Sequence, residues 1–287
     1  MKTIKLYLFL LLLMLSQVFA MAQTVEVLVA AHRGDWRNYA ENSIEAIESC
    51  IRMGVDVVEI DVAKTKDGHL ILMHDRTVDR ATSGKGLVSD FTLAEIQKLR
   101  LRNGLGSITD FKIPTFEEAM IVAKDRIIVD VDKADEYMDD VYEILKKTGT
   151  LKQAFVKSDK PYNQLYRKYG VILEKMIFVP VIRPHKETTI DSVAVVLNME
   201  CPVYEISFAE ASKELFQQMK AKLQNTASVL WFNSLWDSNS GGYTDDKALT
   251  DPNGNYGYLI DTLGARIIQT DRPAYLLEYL RKKGLHD

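Results

Sequence analysis

Past residue 22, hydrophobic and polar positions along the chain fall into two alternating rhythms. Short β-branched apolar runs occur at "EVLVAA" (26–31), "VDVVEIDV" (55–62), "RIIVDV" (126–131), "QAFVKS" (153–158), "MIFVPVI" (176–182), "PVYEIS" (202–207), "ASVLWF" (227–232) and "ARIIQT" (265–270). Such runs suit strands buried on both faces, as in a parallel sheet. Between them, apolar residues recur at helical spacing over 42–53, 115–124, 135–148, 160–170, 187–198, 211–224 and 273–283. The first of these, "SIEAIESCIRMG", closes on a glycine stop. Eight strands, each followed by a helix or a long connection, predict an α/β fold of the TIM (β/α)8 barrel type. A doubly wound open sheet shares the alternation, but no G-x-G-x-x-G follows the first strand to favour it. One segment breaks the rhythm. Residues 75–113 are rich in Thr, Ser, Gly and Asp, with one short helical piece, "TLAEIQKLR". That is long for a βα connection, so the pattern predicts a hairpin and a small insertion after the second strand, above the barrel mouth.

The first 22 residues read differently. Lys2 and Lys5 precede the apolar "LYLFLLLLML", and "VFA" and "AMA" end on small residues at Ala20 and Ala22. This is the layout of a secretory signal peptide, which predicts an exported protein, periplasmic or secreted, with a mature domain over 23–287. An uncleaved anchor is the alternative, although the apolar run is short for a membrane span. No second long apolar run follows, so no stable membrane insertion is expected after cleavage.

Charge narrows the partners. The formal net charge is −4, and removal of two lysines and no acid takes it to −6. An acidic chain is a poor match for a nucleic-acid backbone. Cys50 and Cys201 lie far apart without metal-ligand spacing. Export permits a disulfide between them, but Cys50 on a helical pattern and Cys201 before a strand read as buried free thiols.

In a TIM barrel, chemistry collects at the C-terminal ends of the strands. The first run ends in His32-Arg33-Gly34, and the second carries Glu59 and Asp61, which strand alternation places on one face. The hairpin "KDGHLILMHD" returns the chain to His74 and Asp75, and the third run leads into Asp130, Asp132 and Lys133. Lys157, Glu205, Trp231 and Asn233 fall near the ends of later strands. Carboxylates this crowded repel unless a cation neutralises them. An all-oxygen set favours a hard divalent ion, Mg²⁺ or Ca²⁺, over zinc. The ion and arginine suit an anionic substrate, with phosphate the best candidate. Two flanking histidines suit acid–base work. Gly34 permits close backbone approach at the strand end. Glu205 reads equally as a structural hydrogen-bonding residue, and Trp231 as barrel packing or a substrate wall. His69 reads as an exposed hairpin residue, His185 as a loop residue, and Tyr243, Asp245 and Asp246 as a solvated loop.

The ordered series "AHRG", "AENS", "EIDVAKTKDG", "HD" and "DRATSGKG" resembles the glycerophosphodiester phosphodiesterase family, whose motifs run H-R-G, P-E-N-T, E-x-D-V-x-x-T-K-D-G, H-D and D-R-T-T-x-G-x-G. The match is dense from His32 to about Leu99 and continues weakly to "IIQTDRP" near the C terminus. The resemblance implies a TIM barrel with an insertion after the second strand. It implies metal-dependent hydrolysis of a small glycerophosphodiester to sn-glycerol 3-phosphate and an alcohol, through a cyclic phosphate. His32 and His74 would form the acid–base pair, Arg33 would hold the phosphate, and Glu59 and Asp61 would bind the ion. Glu41 and Asn42 match the family's Glu-Asn pair, with Ala40 in place of proline. The family's third ligand is a glutamate in E-x-K, where this chain reads "VDVDKAD". Asp132 is the expected ligand, with Asp130 on the same face as the alternative, and Lys157 is expected to supply the missing positive charge at the phosphate. A related phospholipase D-like or lyase enzyme that releases the cyclic phosphate, and a non-catalytic headgroup or glycan binder, are the competing functions.

Overall fold

The computed structural model describes residues 26–287, so the signal peptide expected over 1–22 lies outside the described residues. All eight apolar runs become strands of one closed parallel barrel. They are β1 Leu28–Ala31, β2 Val57–Lys64, β4 Ile128–Asp132, β5 Ala154–Ser158, β6 Ile177–Ile182, β7 Val203–Ile206, β8 Val229–Asn233 and β9 Ala265–Thr270. Pairing runs β1-β9-β8-β7-β6-β5-β4-β2, and β1 pairs again with β2 to close the ring. The short β3 (Leu70–Leu72) folds back antiparallel on β2 and forms the expected hairpin.

Local chemistry sets the elements. The helix Ile44–Met53 starts where the Ser43 hydroxyl accepts the Ala46 amide hydrogen, and stops at Gly54 in the left-handed conformation. The helix Phe116–Ala123 opens with a reciprocal capping box between Thr115 and Glu118. These helices and their successors bury one face on the barrel wall and form the main core with residues such as Val58, Val131, Leu145, Phe216 and Ile268. A smaller apolar plug, including Ala30, Val57, Val179, Trp231 and Ile267, fills the barrel interior.

The insertion has a core of its own. Met73, Val78, Ala81, Val88, Ile96, Leu101 and Ile113 pack together with Ala40 and Ile71. Its capped helix is short, Leu93–Ile96. The connection between β8 and β9 departs from the expected solvated loop. It holds two short helices, Asp237–Ser240 and Asp245–Ala248, and a wide π-helical segment, Asn253–Leu263, that buries Tyr256, Leu259, Ile260 and Leu263. Its Asn and Gly residues hide the helix from a pattern reading, because both disfavour helical backbone. No helix among the described residues is long and apolar enough to cross a membrane. Both cysteines are free thiols, Cys50 buried and Cys201 partly so, which agrees with the reading against a disulfide.

Gly34 makes the close backbone approach expected of it, to Ala46. Its φ is +75°, and an added Cβ would lie 2.8 Å from the Ala46 Cβ and 3.2 Å from the Ala46 carbonyl carbon. The glycine lets the turn after β1 press against the helix Ile44–Met53, on the side of its own scaffold. Gly34→Ala should therefore destabilise the fold by about 1–3 kcal/mol through strain and overpacking. Urea unfolding checks this, and an unchanged midpoint would contradict the packing role.

Candidate active site

The turn after β1 is built to aim polar groups inward. Arg33 has φ +56°, a left-handed value that costs a non-glycine residue energy and persists only where the surroundings fix it. Its amide donates to Glu59 Oε2 at 2.8 Å, while its guanidinium lies 3.3 Å from Glu41 Oε1 and 3.6 Å from Asp61 Oδ2. Asn42, also at φ +56°, is buried and makes a reciprocal pair with Asp61: Nδ2 donates to Oδ2 at 2.9 Å, and the Asp61 amide donates to Oδ1 at 3.0 Å. Lys133 repeats the device after β4, at φ +61°. Its ammonium lies 3.0 Å from Asp61 Oδ1 and donates to the His74 carbonyl. Three strained residues thus surround one carboxylate.

Register explains why that carboxylate is not alone. β2 and β4 pair with Glu59 opposite Asp130 and Asp61 opposite Asp132. Glu59, Asp61 and Asp132 each bring an oxygen within 4.8 Å of the other two. Glu59 is fully buried, and burial together with the neighbouring Asp61 charge pushes its carboxyl well above the usual range. Burial also pushes Asp61 upward, but Lys133, His74, Arg33 and the Asn42 hydrogen bond outweigh it and hold the carboxyl low. Asp61 Oδ1 is buried without a hydrogen-bond partner, although the Lys133 ammonium lies close. A compact, all-oxygen, charge-frustrated set of this kind fits a hard divalent cation. Asp132 is the β4 residue that the fold brings to this group, and Asp130 is not.

Asp130 instead faces Lys157 inside the barrel. The Lys157 ammonium lies 2.8 Å from Asp130 Oδ2 and 3.4 Å from Glu205 Oε2, and the residue is only 7% exposed. Burial pushes Asp130 up to about 7 against the opposing pull of Lys157. Glu205 also accepts from Asn233 Nδ2 at 3.0 Å. Lys157, expected at the phosphate, is therefore committed to two buried carboxylates, while the cations paired with Asp61 of the triad are Arg33 and Lys133, and the Lys157 charge reaches Glu59 from the side. Trp231, expected as a candidate wall, is fully buried below the mouth, with its ring 5.7 Å from the Lys157 ammonium. The tryptophans around His32 are others. Trp236, 46% exposed, meets the imidazole edge-on at 5.7 Å between centroids, and Trp36 approaches through a shared carboxylate.

Each histidine is oriented by an aspartate. His32 Nδ1 lies 2.8 Å from Asp271 Oδ1, which also accepts the Trp36 indole N–H at 2.7 Å. Burial opposes ionisation of Asp271, but the His32 and Trp36 contacts hold it below the usual carboxylate range. His74 Nδ1 lies 2.6 Å from Asp75 Oδ1. Hydrogen bonds from Arg80 hold the Asp75 carboxyl well below its ordinary value. Behind Asp271 stands Asp245, which the loop reading missed. It is buried and accepts from Ser234 Oγ, Tyr256 Oη, Thr270 Oγ1 and the Asp271 amide at 2.6–2.8 Å. The sequence signals for these supports were slight: Trp36 follows "HRGD" directly, and Asp271 follows the last strand in "QTDRP".

The Lys157 geometry turns its role into a stability question. Lys157→Met removes the cation between two buried carboxylates, which should cost about 3–5 kcal/mol. Chemical denaturation checks this. A variant of native stability with weakened substrate binding would restore the phosphate-contact role instead.

Comparison with known proteins places the chain in a family. The glycerophosphoryl diester phosphodiesterase family model matches residues 32–177, just over half of the chain, and a model described as a domain of unknown function matches 176–280. The glycerophosphodiester phosphodiesterase of Caldanaerobacter subterraneus subsp. tengcongensis is 46% identical over 103 residues, covering 36% of this chain and 42% of that protein. The match therefore spans less than half the length of that curated relative. A crystal structure of a glycerophosphoryl diester phosphodiesterase from Parabacteroides distasonis superposes with a TM-score of 0.74 at 24% identity, covering 92% of this chain and 89% of that one. An Oleispira antarctica phosphodiesterase, solved with the product sn-glycerol-3-phosphate, superposes at 0.66 with 18% identity, over 88% of this chain and 96% of that one. At these identities the superpositions speak for the barrel fold. On the extent of the family-model match, with His32, Glu59, Asp61, His74 and the paired motifs all inside it, this chain belongs to the glycerophosphoryl diester phosphodiesterase family.

Proposed function

We propose that this protein hydrolyses glycerophosphodiesters to sn-glycerol 3-phosphate and an alcohol, using His32 and His74 as an acid–base pair beside an ion held by Glu59, Asp61 and Asp132. The observation that carries the reading is the pairing of two aspartate-oriented imidazoles with one largely buried carboxylate triad at the same barrel mouth. A binding module needs no such pair. The product seen in the Oleispira phosphodiesterase supports the same substrate class.

A divalent ion at the triad would polarise the phosphoryl oxygens, and Mg²⁺ or Ca²⁺ suits its ligands. Arg33 holds the substrate's phosphate, with its backbone fixed by Glu59. One imidazole accepts the proton of the glycerol 2-hydroxyl as that oxygen bonds to phosphorus. The other donates a proton to the leaving alcohol as its P–O bond breaks, leaving a cyclic phosphate. Water then opens the ring, with the two histidines exchanging roles. Asp271 and Asp75 keep the Nδ1 sides engaged, so each Nε2 is the nitrogen available for transfer. Mature protein would work after export, and the acidic chain makes small diesters better partners than polynucleotides.

Choline or ethanolamine release from the matching glycerophosphodiesters tests this reading. Turnover should be lost in EDTA, return with added Mg²⁺ or Ca²⁺, and fall at least about 100-fold in His32→Ala, the scale of lost acid–base catalysis. Glycerol 3-phosphate should accumulate; a cyclic phosphate as the end product would assign the lyase reaction. Equal turnover in wild type and a His32/His74 double variant would overturn the catalytic reading.

A further inference from the structure

The geometry points to Arg80 as a positioning residue that couples the acid–base side of the site to its phosphate side. The inference rests on the function proposed above and assigns a role to the part of the insertion nearest the mouth.

Arg80 makes four hydrogen bonds to two carboxylates. Nε donates to Asp75 Oδ2 at 2.7 Å and Nη2 to Asp75 Oδ1 at 3.1 Å. Nη1 donates to Glu41 Oε2 at 2.6 Å and Nη2 to Glu41 Oε1 at 2.7 Å. Each carboxylate leads onward: Asp75 to His74 Nδ1, and Glu41 to the Arg33 guanidinium. A continuous chain therefore runs Arg33–Glu41–Arg80–Asp75–His74. The planar fork of an arginine matches a carboxylate on two edges at once, which an ammonium cannot do. Because most of its N–H groups are already spent on protein, Arg80 is unsuited to holding the substrate itself.

The surrounding turn is built to keep Arg80 there. Val78 and Ala81, on either side, are buried in the insertion's core. Buried Thr82 donates its hydroxyl to the Val78 carbonyl, and its Oγ1 accepts the Gly84 amide. Asp79 accepts the Gly86 amide at 2.8 Å. A Cβ at Gly84 would fall 2.7 Å from Leu99 Cδ1. Asp79, Thr82, Gly84 and Gly86 of "DRATSGKG" thus serve the turn, and Arg80 is the member that leaves it for the mouth. The insertion, on this view, exists in part to deliver one guanidinium to two carboxylates that come from different segments of the barrel.

Steady-state kinetics of Arg80→Gln and Arg80→Lys on glycerophosphocholine tests the inference. Misplacement of His74 by about 1 Å predicts a loss of about 10–100-fold in kcat, with KM changed less than about threefold. Arg80→Lys should recover little of the loss, since it keeps the charge and loses the fork. Adding Asp75→Asn to Arg80→Gln should cost much less than the product of the two single effects, because both act on His74. A rise in KM alone, full rescue by lysine, or independent effects in the double variant would overturn the inference. Imidazole ¹⁵N resonances give a readout that needs no turnover: those of His74 should shift in Arg80→Gln while those of His32 stay. If the His74 signals do not move, the coupling is absent whatever the substrate. If they move in a wild-type background that turns over no glycerophosphodiester, the substrate reading fails and the coupling stands. Should Arg80→Gln fail to fold, Arg80→Lys carries the same comparison.

Discussion

The crowding of negative charge at the C-terminal ends of β2 and β4 is the constraint around which this molecule is arranged. Two like charges 4.8 Å apart repel by about 3 kcal/mol at an effective dielectric of about 20, and Glu59 and Asp61 are buried besides. The fold answers with geometry. Arg33, Asn42 and Lys133 take left-handed backbone so that a cation, an amide and an ammonium reach the same cluster. Deeper in the barrel, Lys157 answers the Asp130–Glu205 pair in the same way. The apolar plug of Val57, Val179, Trp231 and Ile267 seals that charged layer from below. The left-handed residues cost backbone energy at the mouth, and the surrounding structure holds them there.

The two imidazoles at the rim are supported differently. The carboxylate behind His32 accepts a neutral donor, the Trp36 indole N–H, and its backbone is anchored where the Asp271 amide donates to Asp245. The carboxylate behind His74 is braced by a cation, Arg80. The two imidazoles therefore share one device, an aspartate at Nδ1, whose own support differs from one side of the mouth to the other.

Much of this was legible in the chain. The eight apolar runs gave the barrel, because strands buried on both faces must be apolar throughout. Residue spacing put Glu59 and Asp61 on one face and His32 and His74 at strand ends. Other features were hidden for physical reasons. Alternation cannot separate Asp130 from Asp132, since both face inward; only the depth set by barrel packing does so. Lys157 carried a strand-end position but no sign of the carboxylates it would meet across the barrel. Trp231 is bulky and near a strand end, a description that fits a wall and a floor equally well. Asp245 sat among Gly, Asn and Asp residues that read as solvent-exposed, and its burial depends on Tyr256 and Thr270 arriving from elsewhere. Long-range partners of this kind leave no local periodicity.

The contact between His32 and Asp271 joins residues 239 positions apart. β1 and β9 are neighbours in the barrel wall, and this is the seam at which the ring shuts. His32, among the first residues of the barrel to be synthesised, therefore acquires its orienting carboxylate only when the last barrel strand has been made and has docked. Contacts of such sequence separation form late, since the loop entropy must be met first. A barrel whose last strand has not docked can thus display its motifs and its acidic cluster while His32 still lacks the carboxylate that orients it.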